Sequence, residues 1–249
     1  MAILNMIYWE ELKHRATQWP APSWFHVPTE DDWQEIMDIW DALSLWDTSI
    51  WDSPNKISTY LKLPFSWRLS PSSWNHEVSW SLWAYWTVER YSTDKAFDFA
   101  FSNMIYFPNK YTKWYWLSIR PFKNIPVVPD SSWTALYSDK IYHNATLGLI
   151  SLSSDWINWI TIADKNLWAT TVYNSWDTLA ESNCGKFYQW GNNYWFAWTW
   201  ATTKSSTQID ASTYWPWNYY SSSTFITQYA WDSSDNKNLR WWEDGNVPV

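Results

Sequence analysis

The stretch PSWFHVPTEDDW, residues 22–33, contains the start of the first predicted helix. Thr29 and Asp32 have the spacing of a capping box, in which a hydroxyl and a carboxylate cover free N–H groups of the first helical turn. Apolar residues then recur at helical spacing, which predicts a helix over residues 32–43 with one face in the core. That face comprises Trp33, Ile36, Met37, Trp40 and Leu43.

Tryptophan and glycine occur in unusual numbers around this stretch. The 249 residues include 28 Trp and only 4 Gly, whereas average composition gives about 17 Gly in a chain of this length. Several Trp stand in turn sequences, such as Trp156 after Asp155 and Trp217 after Pro216. The turns predicted there need a positive φ, which glycine adopts freely and other residues adopt at a cost of about 1–2 kcal/mol.

The Trp residues divide into two groups by context. Trp33, Trp40, Trp86 and Trp159 lie in apolar periodic runs and are interpreted as native, while Trp51 is undecided. The second group has a glycine-like context and comprises Trp19, Trp24, Trp67, Trp74, Trp80, Trp83, Trp114, Trp116, Trp156, Trp168, Trp176, Trp195, Trp200, Trp215, Trp217, Trp241 and Trp242.

These contexts support the hypothesis that the gene comes from a lineage in which UGA encodes glycine. The printed letters would then follow a code in which UGA encodes tryptophan. The alternative is a genuine aromatic surface that stacks on sugars or polymers, and the residues alone leave it open.

Short apolar runs after the first helix predict strands at residues 60–65, 84–91, 97–101, 104–107 and 115–122. Phe97, Phe99 and Phe101 alternate with smaller or charged residues, the pattern of a half-buried strand. In the second half, residues 133–137 predict a strand, and a hairpin is predicted around Asp155-Trp156. Residues 202–238 predict mostly loop. We therefore expect an α+β fold with short helices, antiparallel β-sheet and long irregular loops.

The charge and hydropathy of the chain exclude some partner classes. The net charge is −8 and the pI is near 4.9, without a cluster of Lys and Arg, so we expect no nucleic-acid binding and a neutral or basic partner. No run of 18 apolar residues occurs, so we expect no membrane insertion. Residues 1–15 do not have the pattern of a signal peptide.

With glycine read at Trp24, residues 22–33 resemble the PSG(Y/F)HVPT…W signature of the Fibrobacter succinogenes major paralogous domain. Residues 61–68 (LKLPFSWR), 84–87 (AYWT) and 115–122 (YWLSIRPF) resemble later pieces of that family in the same order. The resemblance covers most of residues 19–124. It implies a C-type lectin-like fold, similar to that of the formylglycine-generating enzyme.

The second half resembles segments that precede the signature in that family. These segments are residues 159–169 (WITIADKNLWA) and 185–191 (GKFYQWG). We therefore expect residues 1–124 to be the carboxy-terminal part of one domain, 125–135 a Pro-containing linker, and 136–249 the amino-terminal part of a following copy. A circular permutation, in which the two halves fold together, is the alternative.

The candidate catalytic and metal-binding residues are few. The enzymes of the wider fold use a pair of active-site cysteines, and this chain has Cys184 alone, which we expect to be a buried structural residue. The histidines lack ligand spacing, and His26 is expected to be a hydrogen-bonded structural residue. We expect no catalytic residues, no metal site and no cofactor, with Ca²⁺ in the acidic loop of Asp232, Asp235 and Asn236 as the alternative.

The predicted function is a non-enzymatic binding or adhesion module, extracellular or on the cell surface, and a fragment of a tandem-repeat protein. Its partner would be a protein or glycan on another surface, and its oligomeric state is open. One alternative is an enzyme scaffold of the formylglycine-generating, sulfatase-modifying type, and another is a Trp-rich carbohydrate-binding protein. The candidate ligand-binding residues are Tyr214, Asn218, Tyr219, Tyr220, Asp232 and Asp235.

Overall fold

The computed structural model describes residues 24–43, 45, 53–64, 68–69, 76–77, 82–92, 94–102, 106–113, 115–174, 177–192, 194–196, 203–209 and 222–227. Within these residues the fold is α+β, with short helices and mostly antiparallel sheets. The three helices are α1 (Glu30–Ala42), α2 (Ser53–Leu61) and α3 (Glu181–Cys184). None of the helices in the described part is long and apolar enough to cross a membrane.

The strands are short, and most have two to four residues. In chain order they are β1 (Phe25–His26), β2 (Arg68–Leu69), β3 (His76–Glu77), β4 (Leu82–Arg90), β5 (Lys95–Ser102), β6 (Tyr106–Thr112), β7 (Trp116–Leu117), β8 (Phe122–Lys123), β9 (Thr134–Tyr137), β10 (Ile141–Asn144), β11 (Leu149–Leu152), β12 (Ile160–Ala163), β13 (Phe187–Gln189), β14 (Trp195–Phe196), β15 (Thr203–Ser205) and β16 (Thr224–Ile226).

Helix α1 confirms the local prediction. Thr29 is the N-cap residue, its hydroxyl accepts the Asp32 N–H at 3.0 Å, and the Asp32 carboxylate accepts the Thr29 N–H at 2.7 Å. Trp33 on the apolar face is fully buried and stacks on Phe99, with ring centroids 4.8 Å apart. This face packs against the three-stranded sheet of β4, β5 and β6 and against a six-stranded sheet that contains β8, β10, β11 and β12. Helix α1 therefore lies inside the main core.

Both large sheets contain strands from the two halves of the chain. The six-stranded sheet has the order β1-β8-β12-β11-β10-β9, and the five-stranded sheet has the order β14-β13-β7-β2-β3. One core cluster likewise joins Trp33 and Phe122 to Ile150 and Ile162. The two halves of the chain therefore share sheets and a core cluster, while the boundaries at 1–124, 125–135 and 136–249 and the circular-permutation alternative stay predictions.

The expected linker lies on the six-stranded sheet. The Val127 N–H donates to the Thr161 hydroxyl at 2.8 Å, and the Ser151 hydroxyl donates to the Val127 carbonyl at 2.8 Å. Trp133 is also buried, and β9 begins inside the expected linker at Thr134. Residues 125–133 are therefore packed structure between two strands of one sheet.

Several sequence predictions are wrong in detail. Residues 60–61 end helix α2 and are not the start of a strand, and the predicted strand at 115–122 is two short strands, β7 and β8. In β5 both faces are covered, because Asp98 and Ala100 are as buried as Phe99. The expected loop region contains β15 and β16, which pair in parallel and bury Phe225.

The hairpin at Asp155 is present, but its turn differs from the prediction. Strands β11 and β12 pair antiparallel, and residues 153–159 connect them in place of a two-residue type I′ turn. The Asp155 carboxylate accepts the N–H groups of Ile157 at 2.9 Å and Asn158 at 2.8 Å. These bonds favour the charged carboxylate and lower the pKa of Asp155. Side-chain hydrogen bonds therefore build this loop.

Three Trp residues have the backbone conformation that favours glycine. The φ angles are 70° at Trp24, 69° at Trp156 and 65° at Trp168. In each case the indole is at least half exposed, at 65%, 50% and 54%. The other non-glycine residues with positive φ in the described part are Lys62, Ser138 and Asp139.

Three other Trp with a predicted glycine-like context lie in strands. Trp83 pairs with Phe101 in β4, Trp195 pairs with Tyr188 in β14, and Trp116 is in β7 with its ring buried against Phe196. The expectation of a glycine-requiring backbone is wrong there. The rest of the set and the undecided Trp51 lie outside the described residues: Trp19, Trp67, Trp74, Trp80, Trp114, Trp176, Trp200, Trp215, Trp217, Trp241 and Trp242.

Candidate functional site

The residues that the sequence predicted as ligand contacts lie outside the described part of the chain. This holds for Tyr214, Asn218, Tyr219, Tyr220, Asp232 and Asp235, and for Asn236 of the alternative calcium loop. These assignments stay predictions. Within the described residues, no group of three His, Cys, Asp or Glu side chains is placed to hold a metal ion.

Cys184 is buried at the end of α3, as expected from its small size. Its thiol is 1% exposed, and burial raises its pKa to about 12. Since the thiolate is the nucleophilic form of cysteine, burial and the raised pKa disfavour a role for this thiol as a nucleophile.

A cavity of about 390 Å³ lies beside the first turn of α1. Ligand pockets in proteins commonly span roughly 300–1,000 Å³. The walls come from α1, from β8 with the segment that follows it, and from the end of the loop before β12. The cavity therefore joins the two halves of the chain, because β8 pairs with both β1 and β12.

His26 and Asp32 form one side of this cavity. His26 is 2% exposed, and its Nε2 lies 3.1 Å from the Asp32 Oδ2. That same oxygen accepts the Thr29 N–H and the Thr29 hydroxyl, each at 2.7 Å. His26 is thus a hydrogen-bonded structural residue, as predicted.

Asn124 completes this polar side. Its N–H donates to the Trp24 carbonyl at 3.0 Å, and its side-chain Oδ1 lies 2.9 Å from His26 Nδ1. Asn124 is only 6% exposed, and its Nδ2 has no hydrogen-bond partner. Exchange of the amide O and N positions would leave the oxygen unpaired instead. In either orientation one polar atom of this side chain is buried without a partner.

The apolar part of the cavity has buried aromatic rings and exposed aliphatic side chains. Phe122 is 1% and Trp159 is 8% exposed, so neither ring presents an open face. Ile125, Val128 and Ile157 are 44%, 66% and 80% exposed. These three aliphatic residues, which we call the apolar rim, surround the cavity in contact with solvent.

One face of helix α1 beside the cavity is acidic. Asp31, Glu35 and Asp38 are exposed, and their spacing of four and three residues places them on one side of the helix. Glu35 itself lines the cavity. The three carboxylates make this face attract cations and repel anions, and the net charge of −8 of the whole chain acts in the same direction.

Glu89 provides a further hydrogen bond at the start of α1. Its Oε1 accepts the Glu30 N–H at 2.9 Å. Burial raises the pKa of the Glu89 carboxyl to about 7, and hydrogen bonds from Thr87 and the Glu30 backbone oppose this shift. The folded protein therefore binds this proton more tightly than the unfolded chain, whose carboxyl has its ordinary value of 4.5.

This shift predicts a pH-dependent stability. The contribution of Glu89 is fully present below pH 4.5 and is lost as the pH rises through about 7. Glu89→Gln keeps an oxygen acceptor for the Glu30 N–H but does not titrate. We expect the urea midpoint of the variant to vary less than that of the parent chain between pH 4.5 and 7.5. Equal pH profiles for the two proteins would contradict this prediction.

Sequence reasoning missed most of this cavity. His26 was recognised as structural, but Glu35, Asn124 and Ile157 come from three separate segments without a shared motif. The pairing of β8 with β1 and β12 brings them together, and two-residue strands give little sequence signal. The Asp155 turn is the one local signal, because its hydrogen bonds fix the position of Ile157.

Comparison with known proteins gives no relative. No family model matches the chain, and neither a curated protein nor a solved structure matches it.

Proposed function

We propose that this chain is a non-enzymatic binding module with a C-type lectin-like fold, extracellular or on the cell surface, and part of a tandem-repeat protein. The proposal that it belongs with the Fibrobacter succinogenes major paralogous domain rests on the sequence resemblance. The observation that carries the binding function is the cavity of about 390 Å³, which is bordered by the exposed apolar rim and by the acidic face of α1.

The enzyme alternative of the formylglycine-generating type receives less support. That chemistry uses a pair of cysteines, and the one thiol of this chain is buried with a raised pKa. The cavity residues His26 and Asp32 are engaged with each other and with the cap of α1. A binding role uses the cavity without a reactive group.

Two assays on the full chain test this function. Peptide and glycan arrays probed with the labelled protein are expected to show saturable binding to one of these classes. Incubation with a cysteine-containing peptide, followed by mass spectrometry, is expected to show no oxidation of the peptide. Formation of the oxidised product would contradict the proposal, and so would the absence of binding on both arrays.

A further inference from the structure

The geometry of the cavity points to its ligand class. Resting on the proposed function, we infer that the cavity and its apolar rim bind a protein segment with one bulky apolar side chain flanked by basic residues. The apolar side chain would enter between the apolar rim residues Ile125, Val128 and Ile157, and the basic residues would lie along the acidic face of α1.

The exposed groups favour a protein segment over a glycan. Sugar rings stack on open aromatic faces, but Phe122 and Trp159 are almost fully buried. The exposed surface at this cavity is aliphatic instead, with Val128 and Ile157 mostly in contact with solvent. Clustered exposed apolar side chains are typical of protein-binding sites. The rim therefore matches an aliphatic or aromatic side chain of a polypeptide.

The charges favour a basic segment. Asp31, Glu35 and Asp38 form one exposed face of α1, and Glu35 belongs to both this face and the cavity. Among the described cavity-lining residues, Lys123 is the one lysine and no arginine occurs. Charge complementarity of this kind determines which partners associate and how fast.

Phage display of random peptides on the full chain, followed by calorimetry with a synthetic selected peptide, tests this inference. We expect selected peptides to share a bulky apolar residue next to Lys or Arg. The double variant Val128→Ser/Ile157→Ser should weaken binding roughly tenfold or more. Leu147→Ser is the matched control, because Leu147 is 58% exposed and does not line the cavity, and it should change affinity by less than roughly twofold. Glu35→Gln should weaken binding and reduce its salt dependence.

The outcomes separate this inference from the proposed function. Peptides that bind the double variant as tightly as the parent chain would overturn the inference. Binding of the parent chain to a saccharide on a glycan array, with loss of that binding in the double variant, would also overturn the inference. That result would leave the proposed binding function in place. Failure of both peptides and glycans to bind would overturn both.

A different observation carries a second inference. From the backbone we infer that the native protein has glycine at positions 24, 156 and 168. All three Trp residues have φ between 65° and 70°, a left-handed conformation that is strained for L residues with a Cβ and free for glycine. At position 168 the Ala169 N–H donates to the Asn166 carbonyl at 2.9 Å, which closes a turn with residue 168 at its third position. A turn with positive φ at that position favours glycine.

The buried Trp residues have the opposite environment. Trp33, Trp86 and Trp190 are at most 1% exposed and none of them has a positive φ. The glycine inference is therefore limited to positions where the ring is half exposed and the backbone is left-handed.

Single variants of the printed chain test this inference by urea denaturation. Trp24→Gly, Trp156→Gly and Trp168→Gly are each expected to shift the urea midpoint of unfolding to a higher concentration. Trp116→Gly is the matched control, because position 116 has the same sequence-based assignment but an extended backbone and a buried ring, and it should lower the stability. Destabilisation by all four substitutions would overturn the inference.

Discussion

Arg120→Ala is expected to lower the free energy of unfolding by about 3–5 kcal/mol. The Arg120 side chain is fully buried where the two halves of the chain meet. Its Nη1 donates to the Ala163 carbonyl at 2.9 Å, and its Nη2 donates to the Lys62 carbonyl at 2.6 Å. Alanine would leave both buried carbonyls without these bonds and would also create a cavity.

Urea denaturation followed by circular dichroism measures this effect. Arg120→Lys is expected to recover only part of the loss, because an ammonium group lacks the planar fork that reaches two carbonyls at once. Lys165→Ala, at a half-buried cationic residue, serves as the control and should change stability by less than about 0.5 kcal/mol. A loss for Arg120→Ala no larger than that for Lys165→Ala would contradict the assigned role.

Trp33→Ala is expected to cost about 3–5 kcal/mol of stability, the usual range for a large buried aromatic residue. The Trp33 ring stacks on Phe99 at 4.8 Å and packs edge-on against Phe122 at 5.0 Å. It thereby joins α1 to both the three-stranded and the six-stranded sheet. The aromatic contacts add about 0.5–1.5 kcal/mol each beyond the area they bury.

The matched comparison is Trp24→Ala, which removes an indole that is 65% exposed. Thermal and urea unfolding of both variants should show a large loss for Trp33→Ala and little loss for Trp24→Ala. Similar losses for the two would contradict the division of the Trp residues into buried and turn positions.

Local sequence signals predicted the elements that depend on local chemistry. The capping box of Thr29 and Asp32 is formed within four residues, so α1 could be found without knowledge of the tertiary structure. The β4–β5–β6 sheet was also partly predictable, because its strands are long and consecutive. The apolar run at residues 60–65 fits both a strand and a helix end, so the local sequence does not show that residues 60–61 belong to α2.

Long-range pairing explains what the sequence could not predict. Ile162 pairs with Phe122 across forty residues of chain, and no local pattern specifies this partner. The cavity depends on that pairing, since Asn124 and Ile157 belong to segments that meet only in the folded sheet. The same limit applies to Trp116: a strand is predicted over residues 115–122, but no local pattern indicates that the Trp116 ring is buried against Phe225.

Peptide mapping by tandem mass spectrometry of the protein isolated from its native host tests the central claim most directly. The account predicts glycine at positions 24, 156 and 168 and tryptophan at positions 33, 40 and 86. Tryptophan at all three turn positions of the native protein would contradict it. The left-handed backbone at these positions would then accept a residue with a Cβ.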